Sequence, residues 1–370
     1  MGRPLVILPG VGGTRLCRRS ELRRAVGGDT RATGVENRWM NLAPFRARRM
    51  QEWTDEMSVV AARHPTSGRI VGLRGSDPEI VALDGLAGVC SIVPALDRLD
   101  ASWQEALDNR FQYKYFGHLV AKMAGEHGYV PGEDLLAVPY DFRLVLDPGT
   151  RAAVFEALRS RIEAAVQRTG EPAVVVAHSL GGVLAAWFLS AHASDAWAAR
   201  HLHKLVCMNA PFGGTPYALR ALLRGEHYLP AFASRFKAGL RLNSGVLMSL
   251  PNQPLACAER LTAADVAALA ESLEARAALY EPAALWVGAD VAVDVVTSVG
   301  VETMTRFRAD TGAATAGGEG DGLVPAASLE AAFQVFGGPR VARLCVEGSN
   351  HVGVVGDPRL LRHIAKQCLS

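Results

Sequence analysis

The sequence predicts an α/β fold, a mostly parallel sheet flanked by helices, and three observations carry that expectation. Short apolar runs rich in β-branched residues, among them Leu5–Leu8, Leu135–Val138 and Lys204–Met208, have the length and composition of fully buried strands. Helical patterns over Tyr115–His127 and Thr150–Arg168 separate them, and regular alternation of strand and helix implies a parallel sheet. The third observation is Val174-Val175-Val176-Ala177-His178-Ser179-Leu180-Gly181-Gly182, where a buried strand passes into a helix within one residue. Leu180, Val183, Leu184, Trp187, Phe188 and Ala191 recur at helical spacing, so that helix packs one face on the sheet.

Composition narrows the function class. With 370 residues, 49% of them apolar and 21% charged, the chain has material for one large core. A net charge of +2 and no recognition motif exclude a nucleic-acid partner. The six cysteines, Cys17, Cys90, Cys207, Cys257, Cys345 and Cys368, form no Cys-x-x-Cys pair and no cluster with histidine, so neither a metal nor a cofactor is expected. Cys207 and Cys345 lie in strand-like runs and are expected as buried small hydrophobes. Met1-Gly2-Arg3 leads almost directly into a strand, Val6 stands where a myristoylation signal needs Ser or Thr, and no apolar run reaches membrane-spanning length. A cytoplasmic location is expected.

Taken in order, Leu5–Leu8 is the first strand and Pro9-Gly10-Val11-Gly12-Gly13-Thr14 a glycine-rich loop after it. The spacing matches neither a dinucleotide fingerprint nor a phosphate loop. Arg18–Gly34 is a polar surface excursion. Phe45, Met50, Trp53, Met57 and Val60 predict a helix over Phe45–Ala61, and Arg69–Leu73 and Val89–Val93 predict short strands. Residues 17–110 break the alternation and form a first insertion. Residues 215–282, alanine-rich and mainly helical, form a second, both on a single domain spanning 1–370. Leu285–Val287, Thr303–Arg308 and Arg343–Val346 are expected as late strands of the sheet, with Thr311–Gly320 a low-complexity loop.

Ser179 falls on the strand-to-helix turn, the geometry of a nucleophile elbow, with Ala177 in place of the usual first glycine. The helix N-terminus puts the Leu180 N–H beside it, and the glycine loop offers the N–H of Val11 as a second oxyanion donor. A serine alcohol needs a base, and the base needs an orienting carboxylate. In α/β-hydrolases these follow the serine as acid, then histidine. Gly320-Asp321-Gly322 presents Asp321 in a glycine-flanked turn, ahead of Asp290 and Asp294 as the acid. Gly348-Ser349-Asn350-His351 follows a strand and presents His351; His192, His201 and His203 come too early, and His363 lies in a terminal helix pattern.

Seven segments in register through the chain resemble the lecithin:cholesterol acyltransferase family. They are Pro9-Gly10-Val11-Gly12-Gly13, Trp39-Met40-Asn41-Leu42, Tyr129-Val130-Pro131-Gly132-Glu133-Asp134-Leu135, Pro139-Tyr140-Asp141-Phe142-Arg143, Ala210-Pro211-Phe212-Gly213-Gly214, Gly320-Asp321-Gly322-Leu323-Val324 and the position of His351. The resemblance implies an α/β-hydrolase that cleaves a lipid ester, a phospholipid by preference, and passes the acyl group to water or an alcohol. Phe142 and Phe212 stand where the family has tryptophan, which implies a reshaped acyl pocket. Gly300-Val301-Glu302-Thr303 echoes the family's Gly-x-Gly-x-Pro-Thr only loosely, and the cysteines do not reproduce the short disulfide loop of its secreted members.

Asp141 and Arg143 are expected as an ion pair in the pocket wall. Over 225–242, Leu229, Phe232, Phe236 and Leu240 share one helical face flanked by Arg235, Lys237 and Arg241. That pattern suits a lid or a peripheral membrane contact, and equally the packing of a cap. Two other readings stay open: a soluble esterase of small or secondary-metabolite esters, and a non-catalytic binding module of the same fold.

Overall fold

The computed structural model describes residues 2–26, 35, 37–39, 50–93, 96–98, 100–225, 237, 239–281, 285–288 and 290–370. Its centre is a six-stranded sheet built from β1 (Leu5–Leu8), β2 (Leu135–Ala137), β3 (Ala173–His178), β4 (Leu202–Met208), β5 (Val293–Val299) and β6 (Val341–Glu347). The strands lie in the order β6-β5-β4-β3-β1-β2, and every neighbouring pair is parallel. This is the strand order of an α/β-hydrolase sheet.

The period of two along each strand divides the core into two faces. Val6, Leu8, Ala173, Val175 and Ala177 point to one face, Leu5, Ile7, Val174 and Val176 to the other, and all nine are buried. Helices α1 (Gly117–His127) and α4 (Pro358–Leu369) cover the second face; α2 (Pro148–Thr169) and α3 (Leu180–Ala191) cover the first. Each buried Val, Leu or Ile contributes about 1.5–3 kcal/mol to this arrangement. Helix α2 starts where Asp147 accepts from the Thr150 N–H at 3.0 Å with Pro148 in its first turn, and stops at Gly170.

Several local expectations change. Of the helix expected over Phe45–Ala61, the described part is Met50–Met57, and Val59–Arg63 is instead a strand paired antiparallel with Ile70–Gly75, as the adjacent β-branched Val59 and Val60 favour. Phe45 and residues 46–49 lie outside the described residues. Val89–Val93 is not a strand; it follows a single 3-10 turn, Leu86–Gly88, and its Val89 packs into the core. Helix α1 starts at Gly117 rather than Tyr115, because Tyr115 holds a left-handed backbone with φ 42°.

Strand β5 has no counterpart among the expected strands. The run Val293-Asp294-Val295-Val296 carries a carboxylate that reads as a loop, yet Asp294 is only 2% exposed because Lys204 and His363 bond both its oxygens. Immediately after β5, Gly300 reverses the chain, so Thr303–Arg308 leaves the central sheet. It belongs to strand Val301–Arg308, paired antiparallel with Ala314–Gly320, the segment expected as a loop. Leu285–Val287 contributes only an isolated bridge from Val287 to Phe336. Cys345 is exposed rather than buried, since β6 is the sheet's edge strand. No helix of the described residues is long and apolar enough to cross a membrane.

Candidate active site

In an all-parallel sheet the functional loops gather at the carboxyl ends of the strands. Ser179 follows β3 directly, with φ 55° and ψ −126°. Such a backbone costs about 1–3 kcal/mol for a residue other than glycine and persists only where its surroundings hold it. The Ser179 N–H donates to the Met208 carbonyl at 2.8 Å, and its own carbonyl accepts from Gly182 at 2.9 Å. Two close approaches complete the elbow. A Cβ on Gly181 would lie 2.4 Å from the Leu8 carbonyl oxygen, and one on Gly10 would lie 2.7 Å from the Ser179 Cβ. Only glycine lets the helix start and the first loop press together here.

The antiparallel ribbon after β5 returns the chain to the same end of the sheet and delivers Asp321 beside Val301. One carboxylate oxygen, Oδ1, accepts from the Leu323 and Val324 N–H groups at 2.9 and 2.7 Å. The other, Oδ2, accepts from His351 Nδ1 at 2.6 Å. With Nδ1 carrying the proton, Nε2 of the neutral ring faces Ser179 Oγ at 3.0 Å as an acceptor. The His351 N–H also bonds the Asp321 carbonyl at 2.7 Å, so backbone and side chain fix the same pair. Asp321 is fully buried, and Ser179 and His351 are nearly so. The structure therefore brings the three residues into one serine–imidazole–carboxylate chain. Asp294 stands elsewhere, at the amino end of β5, bonded to Lys204 at 3.0 Å and His363 at 2.7 Å.

The glycine loop lies against Ser179, and among the described residues the Val11 N–H has no hydrogen-bond partner. The Leu180 N–H opens α3, where no preceding turn supplies a carbonyl. Phe142 is fully buried and meets Trp39 edge-on at 4.8 Å; Phe212 meets Phe336 edge-on at 5.5 Å. Leu229, Phe232 and Phe236 lie outside the described residues, as do Arg235 and residues 40–42. Leu240, the described end of that stripe, is fully buried in the main core, and Gly239 faces Trp53 and Met57. Asp141 and Arg143 do form an ion pair, two parallel bonds of 2.9 and 2.6 Å, with Arg143 fully buried. No group of acidic, histidine or cysteine side chains among the described residues could hold a metal ion.

Sequence reasoning passes over several residues that hold this site. Thr303 Oγ1 accepts from Gly322 at 2.8 Å and Thr215 Oγ1 donates to the Leu323 carbonyl at 2.5 Å, clamping the acid turn from both sides. Asn209, with φ 46°, bonds Ser298 through both ends of its amide and reaches the His351 carbonyl at 3.4 Å. His178 Nε2 bonds the His351 carbonyl at 2.8 Å, and the Tyr115 hydroxyl bonds His178 Nδ1 at 2.7 Å. Adjacency to the nucleophile is the one signal that marks His178 in advance; Tyr115 carries none.

The sequence profile of the family described as Lecithin:cholesterol acyltransferase matches residues 35–252, a stretch that includes Ser179 and ends before Asp321 and His351. The lysosomal phospholipase A and acyltransferase of Mus musculus is 38% identical over 113 residues, which is 30% of this chain and 26% of that protein. The phosphatidylcholine-sterol acyltransferase of Homo sapiens is 26% identical over 189 residues, 51% of this chain and 38% of that protein. The matched stretches thus span between a quarter and two fifths of these relatives' lengths. Among solved structures, an esterase of Rhodococcus sp. ECU1013 has 18% identity and a TM-score of 0.36, covering 68% of this chain and 85% of that one.

Proposed function

This chain belongs to the lecithin:cholesterol acyltransferase family, and from that premise we propose that it is a serine acyl hydrolase and O-acyltransferase acting on lipid esters. The observation that carries the proposal is Ser179 Oγ, 3.0 Å from the imidazole Nε2 of a histidine whose Nδ1 is held at 2.6 Å by Asp321. His351 takes the hydroxyl proton as Oγ attacks the ester carbonyl. The N–H groups of Val11 and Leu180 receive the oxyanion. His351 then returns the proton to the departing alkoxide, which leaves the acyl group esterified to Ser179. Water or a second alcohol, deprotonated by the same imidazole, releases a fatty acid or a new ester and restores the serine. Asp321 keeps the ring in the reactive tautomer and balances the imidazolium formed at each step.

Phospholipid is the acyl donor we favour, since the similar proteins are a lysosomal phospholipase A and acyltransferase and a phosphatidylcholine-sterol acyltransferase. Residues 17–110 and 215–282 serve as cap insertions on a single domain, and Phe142 and Phe212 shape the acyl pocket. The stripe of Leu229, Phe232 and Phe236 serves either as a lid that meets a lipid surface or as packing of the second cap. The buried position of Leu240 supports static packing for its own end of that segment.

One experiment tests both the chemistry and the acceptor. A fluorophosphonate should label the native protein at a single serine and fail to label Ser179→Ala. The native protein should release lysolipid from phospholipid vesicles, and an added long-chain alcohol should divert acyl groups from fatty acid to ester. Labelling that survives in Ser179→Ala overturns the assignment.

A further inference from the structure

We propose that Tyr115 and His178 are positioning residues that brace the oxyanion loop and the catalytic imidazole against each other through one directed hydrogen-bond chain. The proposal rests on the serine-hydrolase reading above. It starts from a bond whose direction is fixed. A backbone carbonyl can only accept, so His178 Nε2, 2.8 Å from the His351 carbonyl oxygen, carries a proton. In a neutral ring, Nδ1 is then an acceptor, and the group facing it at 2.7 Å is the Tyr115 hydroxyl, which must donate. The Tyr115 oxygen in turn accepts from the Gly10 N–H at 2.9 Å. The chain therefore runs from Gly10 N–H to Tyr115 Oη–H, to His178, to the carbonyl of His351. Each bond settles the direction of the next.

Both ends of this chain are functional backbone. Gly10 immediately precedes Val11, so a displacement of Gly10 carries the Val11 N–H away from the position of the oxyanion. His351 is itself the proposed base, and its carbonyl is shared with the longer bond from Asn209. Packing reinforces the brace: a Cβ on Gly13 would lie 2.5 Å from the Tyr115 ring, so the loop rests on the ring as well as on its hydroxyl. Tyr115 holds this place with φ 42°, a backbone an aromatic residue adopts only where its surroundings enforce it. Buried polar atoms need partners in any core, and here those partners are the N–H of the first loop and the carbonyl of the base. Here every one of them is used.

The brace also keeps charge away from the reacting imidazole. The two histidine rings are 4.9 Å apart. Burial, and next the neighbouring His351, hold His178 well below the usual histidine range, so it stays neutral while His351 becomes an imidazolium. A second proton on His178 would take away the acceptor that faces the Tyr115 hydroxyl and place a like charge beside the transition state.

The test compares Tyr115→Phe, His178→Gln and His178→Leu with the native protein on a short water-soluble p-nitrophenyl ester. Active sites are counted by fluorophosphonate titration, and a long-chain trifluoromethyl ketone, whose adduct with serine carries an oxyanion, serves as transition-state analogue. Tyr115→Phe keeps the ring on Gly13 and removes only the hydroxyl. It should lower kcat per titrated site by about 10- to 100-fold while KM changes less than about threefold. The ketone inhibition constant should rise by the same factor as kcat falls. His178→Gln retains an N–H donor of similar reach to Nε2 and should lose less than His178→Leu. Native kcat and native ketone affinity in Tyr115→Phe overturn the brace, as does a loss of kcat that the ketone does not share. Equal losses in His178→Gln and His178→Leu overturn the part assigned to His178. Failure of the native protein to react with the fluorophosphonate would instead overturn the proposed function, so the two failures are distinct.

Discussion

Two aspartate–histidine pairs, each built on a buried carboxylate, sit at opposite ends of the same sheet, and almost everything that sets them apart lies in their third partner. At the carboxyl ends of the strands, Asp321 and His351 are 2.6 Å apart and the far ring nitrogen meets a serine hydroxyl. At the amino end of β5, Asp294 and His363 are 2.7 Å apart, and the carboxylate's other oxygen meets Lys204. The first carboxylate spends its second oxygen on two backbone N–H groups, so its charge is directed at the ring and is not neutralised by a cation. The second is compensated by Lys204, and among the described residues no serine, threonine or cysteine is hydrogen-bonded to its histidine. Burial acts to raise the Asp294 carboxyl, but the bonds from His363 and Lys204 outweigh it and hold the group below the usual carboxylate range. An aspartate–histidine pair is thus a structural unit of general use. Only its placement at the loop end of the sheet, beside a strained serine, turns it toward chemistry.

The largest expected effect separates the two ends. Ser179→Ala and His351→Ala should each lower turnover by roughly 10⁴-fold or more, because members of such a set act as a unit. Asp321→Asn should cost somewhat less. Near-native activity in either alanine variant would dissolve the distinction between the two pairs.

The next effect concerns the lower pair and reads as stability. Asp294→Ala strands Lys204 without its partner beneath the sheet, and breaking a buried pair from one side costs about 3–5 kcal/mol; the 19% exposure of Lys204 places this case toward the lower figure. Denaturant unfolding should show that loss while kcat per titrated site stays within about threefold of native. A variant with native stability would mean that the carboxylate is not holding β5 in the sheet.

The smallest effect is a pH dependence that sharpens the comparison. For His178, the unfolded chain takes up a proton near pH 6.5 that the folded chain refuses. Its contribution to stability is therefore complete above 6.5 and declines as pH falls toward the depressed folded value, by at most about 1.4 kcal/mol per pH unit. Asp294 has the same sign in a lower window: its contribution is complete above 3.8 and is lost as pH falls through the lowered folded value. Acid unfolding should thus steepen first below 6.5 and again below 3.8. Since His192 and His203 are also depressed, His178→Leu should flatten the upper window without erasing it. An unchanged slope would show that His178 binds its proton equally well in the folded and unfolded chain.

What the sequence discloses follows from how local each signal is. Ser179, Asp321 and His351 each sit in a short turn punctuated by glycine or by the end of a strand, so neighbouring residues announce them. Strand β5 is obscured because Asp294 breaks its apolar run, and the groups that make this tolerable, Lys204 and His363, lie 90 and 69 residues away. The ribbon strand Ala314–Gly320 has the composition of a loop and is a strand only because Val301–Arg308 pairs with it. Tyr115 reads as the start of a helix; its left-handed backbone answers to Gly10 and His178, which no local pattern contains. The protein-wide contacts that aim a site are the part that a linear reading does not reach.

The buried guanidinium of Arg143 carries a consequence for how the molecule opens. Its Nη1 donates to the Glu56 carbonyl at the end of helix Met50–Met57, while its own carbonyl accepts from the Ser244 N–H at 2.8 Å. The adjacent Phe142 carbonyl accepts from Gly245 at 2.9 Å as its ring rests on Trp39. Both excursions from the sheet are thus riveted to the same two residues, and freeing either one strips bonds from the anchor of the other. In the language of native-state hydrogen exchange, the amides of Ser244 and Gly245 and those at the end of helix Met50–Met57 are expected to exchange as one cooperative unit.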